Sequence, residues 1–211
     1  MIRILITDDH AIVRQGLKQI LEQSGEMKVV AEHANGADAL RWIRTNDCDV
    51  VLLDIAMPGK SGIDVLKQLH DEKPRLPILI LSIYPEDQYA VRLIKAGAAG
   101  YLTKESAPEI VMEAVRRVAS GKKYISPAAA EMLANEFGTP EGKLPHENLS
   151  DREYQIFLLL ASARTVSEVA DTLALSVKTV STYRSRILEK MQLRNNAELM
   201  RYVVEKHLNI A

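Results

Sequence analysis

The residues with the most chemistry in this chain stand just past short apolar runs in its N-terminal half. Asp8 and Asp9 follow the first run, Asp54 closes the third, Ser82 closes the fourth, and Lys104 lies just after the fifth. Three carboxylates brought together repel one another, so such a site needs a cation. Hard oxygen ligands suit Mg²⁺, which prefers octahedral geometry and keeps some of its waters. One lysine and one hydroxyl add the donors that a phosphoryl group requires. Asp9 taken alone also has a local reading, as an N-cap before Ile12. The joint set is much harder to explain that way.

For these residues to meet, the apolar runs must be neighbouring strands of one sheet. The candidate strands are Ile2 to Ile6, Val29 to His33, Val50 to Leu53, Ile78 to Leu81 and Gly100 to Thr103. Between them apolar residues recur at spacings of three and four, as in Val13, Leu17, Ile20 and Leu21, or Ile110, Val111, Ala114, Val115 and Val118. Alternating strand and helix patterns predict an α/β doubly wound, five-stranded parallel sheet with helices on both faces. Ligands bind such a sheet beyond the C-terminal ends of its strands, where the polar residues fall. Gly121 is placed to end the fifth helix.

Strand signals stop after residue 121. Pro127 to Glu136 reads as a short helix with Ser126 as N-cap and Pro127 at its first position. Gly138 to Asn148 has linker chemistry. From Leu149 onward the periodicity is helical, with candidate helices Asp151 to Ala161, Val166 to Leu173, Val177 to Gln192 and Asn196 to His207. The expected organisation is residues 1–122, a linker 123–148, and an all-α four-helix domain 149–211.

The chain has 211 residues, 27 basic and 28 acidic, for a net charge of −1. That excludes a uniformly basic DNA-coating protein and an acidic tail protein alike. The charge is unevenly placed: residues 1–124 balance to 0, 125–148 to −3 and 149–211 to +2. With 5% aromatics, a single-strand platform that stacks bases on rings is disfavoured. The single cysteine, Cys48, excludes an internal disulfide and a cysteine metal cluster. The longest apolar run, Ile156 to Ala161, is far short of a bilayer span, and the expected location is the cytoplasm, away from membranes.

Within the C-terminal part, the segments before and after Ala174-Leu175-Ser176 are joined closely enough to force a sharp angle, the spacing of a helix-turn-helix. On the second segment Val177, Val180, Tyr183, Ile187, Leu188 and Met191 share one arc. Lys178, Thr182, Ser185 and Arg186 share the opposite one, with Ser181 at its edge. Small hydroxyl residues let a backbone approach base edges, and the flanking cations reach phosphates. An ordinary amphipathic helix with a solvated face has the same spacing.

Two sets of motifs carry a family resemblance. Asp8-Asp9-His10, Leu53-Asp54-Ile55-Ala56-Met57-Pro58-Gly59, Ile80-Leu81-Ser82 and Ala96 to Lys104 resemble the flavodoxin-like receiver domain of bacterial two-component response regulators. Leu149 to Glu153, Ser167 to Ala170, Leu175 to Val180 and Ile187 to Met191 resemble the LuxR-type helix-turn-helix module of the NarL/FixJ subfamily. The resemblance implies a transcriptional regulator, not a turnover enzyme, whose Asp54 accepts a phosphoryl group from a sensor histidine kinase. It implies Mg²⁺ on Asp8, Asp9, Asp54 and the Ala56 carbonyl, with Lys104, Ser82 and an inward-rotating Tyr101 as charge partner and switch. Lys178, Ser181, Thr182 and Ser185 are the groove-facing candidates, and Thr179, Arg184, Arg186 and Lys190 the phosphate contacts, on double-stranded DNA. Leu199, Met200, Val203 and Val204 on the last helix are candidates for a phosphorylation-dependent homodimer interface, with plain core packing as the other reading. Glu105 follows Lys104 where many receivers have proline. Ala56 and Tyr84, at positions that govern hydrolysis in the family, offer no group to orient water, so a long-lived phosphoaspartate is expected.

The contrasting class is a Mg²⁺-dependent phosphohydrolase with an aspartyl nucleophile, which in its Rossmann-like form needs an Asp-x-Asp pair after the first strand. A regulator of the same fold that works without phosphorylation is a third reading, and the intact acidic set argues against it.

Overall fold

The computed structural model describes residues 1–57, 61–138, 144–206 and 208, with the side chains of 135–138 left aside. Pro58 and Gly59 of the acceptor motif, the linker stretch 139–143 and the expected helix residue His207 lie outside the described residues. The chain divides into two compact units, Met1–Leu133 and Ala134–Ala211.

The first unit alternates strand and helix: β1 Ile2–Thr7, α1 Ala11–Glu22, β2 Met27–His33, α2 Gly36–Thr45, β3 Val50–Leu53, α3 Gly62–Glu72, β4 Ile78–Ser82, α4 Glu86–Lys95, β5 Gly100–Thr103 and α5 Pro108–Ala119. All pairings are parallel and the strand order is β2-β1-β3-β4-β5. The order reverses between β1 and β3, which puts the switch-point crevice beside the ends of these two strands. β3 is apolar throughout and buried on both faces, as a central parallel strand must be. Ile4, Ile6, Val50, Leu52, Leu79 and Leu81 pack under α1 and α5 through Leu17, Leu21, Val111, Val115 and Val118. Leu5, Val51, Leu53 and Ile80 are buried on the opposite face. Gly121 closes α5 at φ 80°, left-handed backbone that suits glycine.

The segment after α5 does not leave the sheet at once. Tyr124 donates its N–H to Ala99 O at 2.8 Å and forms a one-residue bridge beside β5. Ser126 then caps α6, Pro127–Gly138, by accepting from Ala129 N at 3.1 Å.

The second unit holds a short 3₁₀ turn, η1 Pro145–Asn148, and four helices: α7 Asp151–Ala161, α8 Val166–Thr172, α9 Val177–Lys190 and α10 Asn196–Glu205. η1 falls in the stretch expected to be plain linker; His146 fixes it there, with its Nδ1 2.8 Å from the Tyr202 hydroxyl and its ring among Tyr154 and Tyr202. α7 is the central helix, with Ile156, Phe157 and Leu160 fully enclosed. Ser150 with Glu153 and Thr165 with Glu168 form complete capping boxes, and Ser176 caps α9. The α7 C-terminus turns through Ala163 at φ 64°, an uncomfortable conformation for a residue with a Cβ. Ala163→Gly is therefore expected to stabilise the chain by about 0.5–1 kcal/mol, strain relief exceeding the added unfolded-state freedom of glycine. Thermal melts check this.

Candidate functional site

The crevice at the ends of β1 and β3 is assembled by backbone bonds. Asp54 N donates to Thr7 O at 2.8 Å and Asp8 N to His33 O at 3.1 Å, so both acidic residues leave the sheet at the same level. Lys104 N donates to Ser82 O at 2.7 Å and brings the β5 end to the same edge. Asp8 and Asp54 are 2% and 1% exposed. The Lys104 ammonium sits 2.7 Å from Asp54 Oδ2 and 2.7 Å from Asp8 Oδ2, a single cation against two buried carboxylates. Asp54 Oδ1 accepts from Ala56 N at 2.9 Å. Arg14 Nη1 donates to Asp8 O at 2.6 Å and ties α1 to the site.

The electrostatics follow from burial. Burial pushes the Asp54 carboxyl above its usual range and Asp8 adds to this; Lys104 and the Ala56 N–H offset part of it. Burial alone would lower the Lys104 ammonium, but Asp54 and Asp8 more than reverse that and hold it above its ordinary value. The cluster's three aspartates outnumber its one lysine, so it attracts a further cation.

The donor set fits a divalent ion. Ligand atoms of Asp8, Asp9, His10 and Asp54 all lie within 4.8 Å of one another. Among the described residues, buried Asp8 Oδ2 faces the Lys104 ammonium at 2.7 Å and buried Asp9 Oδ1 faces His10 Nδ1 at 3.0 Å. Asp9 does not cap α1: the capping position is His10, with no side-chain cap bond. His10 and its imidazole were not singled out among the site residues from sequence, although His10 directly follows the acidic pair.

Ser82 is fully enclosed and its hydroxyl accepts from Tyr84 N at 3.1 Å. Tyr101 is the residue expected to rotate inward on phosphorylation. In this structure it is buried, its hydroxyl donating to Tyr84 O at 2.7 Å. Every peptide bond among the described residues is trans, Lys104–Glu105 included, and the loop closes by Ser106 N donating to Thr103 O at 3.0 Å. Gly62, at the start of α3, is a second residue that sequence reasoning missed. A Cβ there would meet Asp54 O at 2.0 Å.

On α9 the polar arc is largely as expected: Lys178, Ser181, Thr182, Ser185 and Arg186 are exposed. Thr182 and Ser185 hydroxyls donate to the Lys178 and Ser181 carbonyls at 3.0 and 3.2 Å. Thr179 is half-buried and bonds Ser176. Val177, assigned to the apolar arc, is exposed because it opens the helix. Two of the phosphate-contact candidates have partners within the unit. Arg184 Nε donates to Asn196 Oδ1 at 2.7 Å, joining α9 to α10, and Lys190 Nζ donates to Glu153 Oε2 at 2.6 Å, joining α9 to α7. On α10, Leu199 and Val203 are completely buried in the helical core, Met200 is half-buried, and Val204 is exposed. Of the four dimerisation candidates, Leu199 and Val203 are thus core residues.

Glu153 carries a pH signature. Burial raises its carboxyl, but Lys190 and the Ser150 N–H and hydroxyl outweigh that and hold it below its ordinary value of 4.5. A group depressed in the fold contributes stability above its unfolded pKa and loses it as pH falls through the lower folded value. Thermal midpoints of the full chain should fall with pH below 4.5, and Glu153→Gln should flatten that limb.

Comparison with known proteins places this architecture. Residues 4–116 match the family described as response regulator receiver domain, and residues 147–203 match bacterial regulatory proteins, luxR family. The chain belongs to the two-component response regulators with a LuxR-type DNA-binding domain, the NarL/FixJ group. Among its relatives, response regulator UvrY of Escherichia coli K12 is 38% identical over 209 residues, covering 99% of this chain and 96% of that protein. Response regulator GacA of Pseudomonas aeruginosa is 39% identical over 200 residues, 94% of each. RcsB from Salmonella enterica serovar Typhimurium, solved bound to the rprA promoter with phosphomimetic BeF₃⁻, is 25% identical with a TM-score of 0.65, over 97% of this chain and 99% of that one. No helix among the described residues is long and apolar enough to cross a membrane.

Proposed function

We propose that Asp54 is the phosphoacceptor of a cytoplasmic transcriptional switch. The observation that carries this is the Lys104 ammonium held 2.7 Å from both Asp54 and Asp8 at the sheet's switch point. The partner is a sensor histidine kinase: its P–N bond breaks as an O–P bond forms on the Asp54 carboxylate. Asp8, Asp9, Asp54 and the Ala56 carbonyl would hold Mg²⁺, which would supply positive charge to the phosphoryl oxygens. Lys104 supplies the protein's own share of that charge, so catalysis here is positioning and electrostatics. The chain accepts one group and turns over no substrate. Because Ala56 and Tyr84 cannot orient water, the phosphoryl group is long-lived; decay within seconds in Mg²⁺ buffer would contradict this.

The Ser82 hydroxyl exchanges its Tyr84 N–H for a phosphoryl oxygen, which disturbs the Tyr84 carbonyl that Tyr101 holds. The same loop leads into α4, where the Glu86 carboxylate accepts a hydrogen bond from the Ser126 hydroxyl, the cap of α6. Displacement at the phosphoacceptor thereby reaches the first turn of the linker helix. The functional division is a receiver 1–122, a linker 123–148 and a reader 149–211, in line with the two family matches.

Helix α9 enters the major groove of double-stranded DNA with Lys178, Ser181, Thr182 and Ser185 toward base edges and Thr179 and Arg186 toward phosphates. A phosphorylated homodimer, using Val204 and Met200 on α10, reads two half-sites. Arg186→Ala is expected to weaken all sequences alike and to lower the salt slope of binding by about 1, as loss of one phosphate contact does. Genome-wide binding maps of wild type and Asp54→Ala test the whole proposal. Sites occupied by wild type and lost in the variant support it, and identical maps refute it.

A further inference from the structure

A hollow of about 450 Å³ lies at the pole of the sheet opposite the acceptor crevice, beneath the N-terminal ends of β4 and β5. Leu76, Pro77, Val118 and Ala119 give it an apolar floor, and His70, Arg75, Lys122 and Lys123 line its rim. No lining residue is acidic, and among the described residues none of the four rim groups has an ion-pair partner. The carboxylates of the adjoining hollow, Asp47 and Asp49, are engaged by Lys73 at 3.3 Å and Arg3 at 3.0 Å. The rim is held by backbone bonds. Pro74 and Pro77 flank Arg75, Leu76 N donates to Lys73 O at 3.0 Å, and Val51 N donates to Pro77 O at 3.0 Å, which ties this loop to β3. Arg117 Nε donates to Lys123 O at 2.9 Å and Lys122 N to Arg117 O at 3.3 Å. A Cβ on Gly97 would lie 2.6 Å from the His70 ring, so glycine there leaves the imidazole its place.

We propose that this hollow binds a small organic anion, an apolar ring or short chain that carries one carboxylate. Ligand sites are concave, mostly apolar and about 300–1,000 Å³ in volume, with a few placed polar groups, and this one matches in size and lining. Arg75, Lys122 and Lys123 carry charge of one sign, and cations grouped over low-dielectric walls focus their field into the concavity. The Arg75 guanidinium can donate two parallel hydrogen bonds to a carboxylate, with the lysines as added point charges. Because the loops that carry these groups are already fixed, less ordering is lost on binding. A bare inorganic ion would leave the apolar floor uncovered, so the occupant has an apolar body. The proposal is independent of the phosphoacceptor reading: Asp54 and Ser82 stand at the other ends of β3 and β4. Occupancy stabilises the receiver by mass action without competing for the crevice.

The test is an amide-resolved NMR titration of the full chain with sodium cinnamate, repeated with the neutral isostere cinnamamide and with sodium sulfate. Wild type is compared with Arg75→Gln and with the double variant Arg75→Gln/Lys122→Gln, both exposed positions, and circular dichroism checks folding. The expected result is saturable shifts at Leu76, Ala99, Ala119 and Lys122 with a Kd on the order of 1 mM, as a ligand of this size allows. The amides of Asp8, Asp54 and α9 should stay in place. Cinnamamide, sulfate, and cinnamate on the double variant should each bind about tenfold more weakly, the effect of losing a charge-assisted hydrogen bond or the apolar contact. Arg75→Gln should fall between. Shifts that do not saturate, or that centre on the acceptor crevice or α9, overturn the proposal. So does equal binding of cinnamamide or sulfate, or unchanged cinnamate affinity in the double variant.

Discussion

Replacing Asp54 with Asn is expected to abolish phosphoryl incorporation from acetyl phosphate in Mg²⁺ buffer while leaving the fold as heat-stable as wild type or more so. The amide keeps the shape and can still meet the Ala56 N–H, but it offers no anionic oxygen to attack phosphorus. Stability does not suffer because Asp54 is a buried carboxylate in a cluster with excess negative charge, and Lys104 keeps Asp8 as its partner. Lys104→Met is the complementary case. Asp54 remains as nucleophile but loses its fixed cation, and incorporation should slow by about 10²–10³-fold, the usual cost of one preorganised charge-stabilising group. Intact-mass spectrometry and thermal melts of the three proteins give both readouts. Incorporation into Asp54→Asn at the wild-type rate would move the acceptor elsewhere.

The second large effect is expected at a residue with no chemistry of its own. Gly62 opens α3 against the backbone of the acceptor loop, and a Cβ there would lie 2.0 Å from Asp54 O and 2.6 Å from Ile55 Cα. Both are backbone atoms, so no rotamer change relieves the clash; either α3 backs away or the Asp54 segment shifts. Gly62→Ala should therefore cost about 1–3 kcal/mol of stability, as overpacking does. It should also slow phosphoryl incorporation about 100-fold, the consequence of displacing a reacting group by about 1 Å. The two effects belong together. Wild-type incorporation with lowered stability would mean that α3 moves and the acceptor does not.

The difference between Asp54 and Gly62 shows what kind of information a sequence pattern carries. Asp8, Asp54, Ser82 and Lys104 were legible because each ends an apolar run, and parallel strands bring their ends to one edge whatever the rest of the chain does. Ser126 and Ser176 were legible as helix caps for a similarly local reason. Gly62 depends on how closely α3 approaches β3, which no local spacing encodes. His10 was hidden because its backbone role, opening α1, is satisfied by many residue types. The fate of α10 was ambiguous from periodicity alone: Leu199 and Val203 share a helical face with a dimer seam, and only packing against α7 shows that they are core. The hydrogen bonds of Arg184 and Lys190, phosphate-contact candidates from sequence, were not legible because their partners, Asn196 and Glu153, lie on other helices.

A chain with net charge −1 whose reader carries only +2 has little electrostatic attraction for DNA as a single copy. Doubling the contacts through a dimer is what raises affinity in such a system. The most direct measurement is the affinity of the full chain for a DNA fragment recovered from its binding map, titrated at several salt concentrations. Wild type and Asp54→Asn are each measured with and without acetyl phosphate and Mg²⁺. Phosphorylation should tighten wild-type binding and steepen its salt dependence, with Asp54→Asn unresponsive. Equal affinity and equal salt slope for wild type in the two conditions would contradict phosphorylation control of DNA binding.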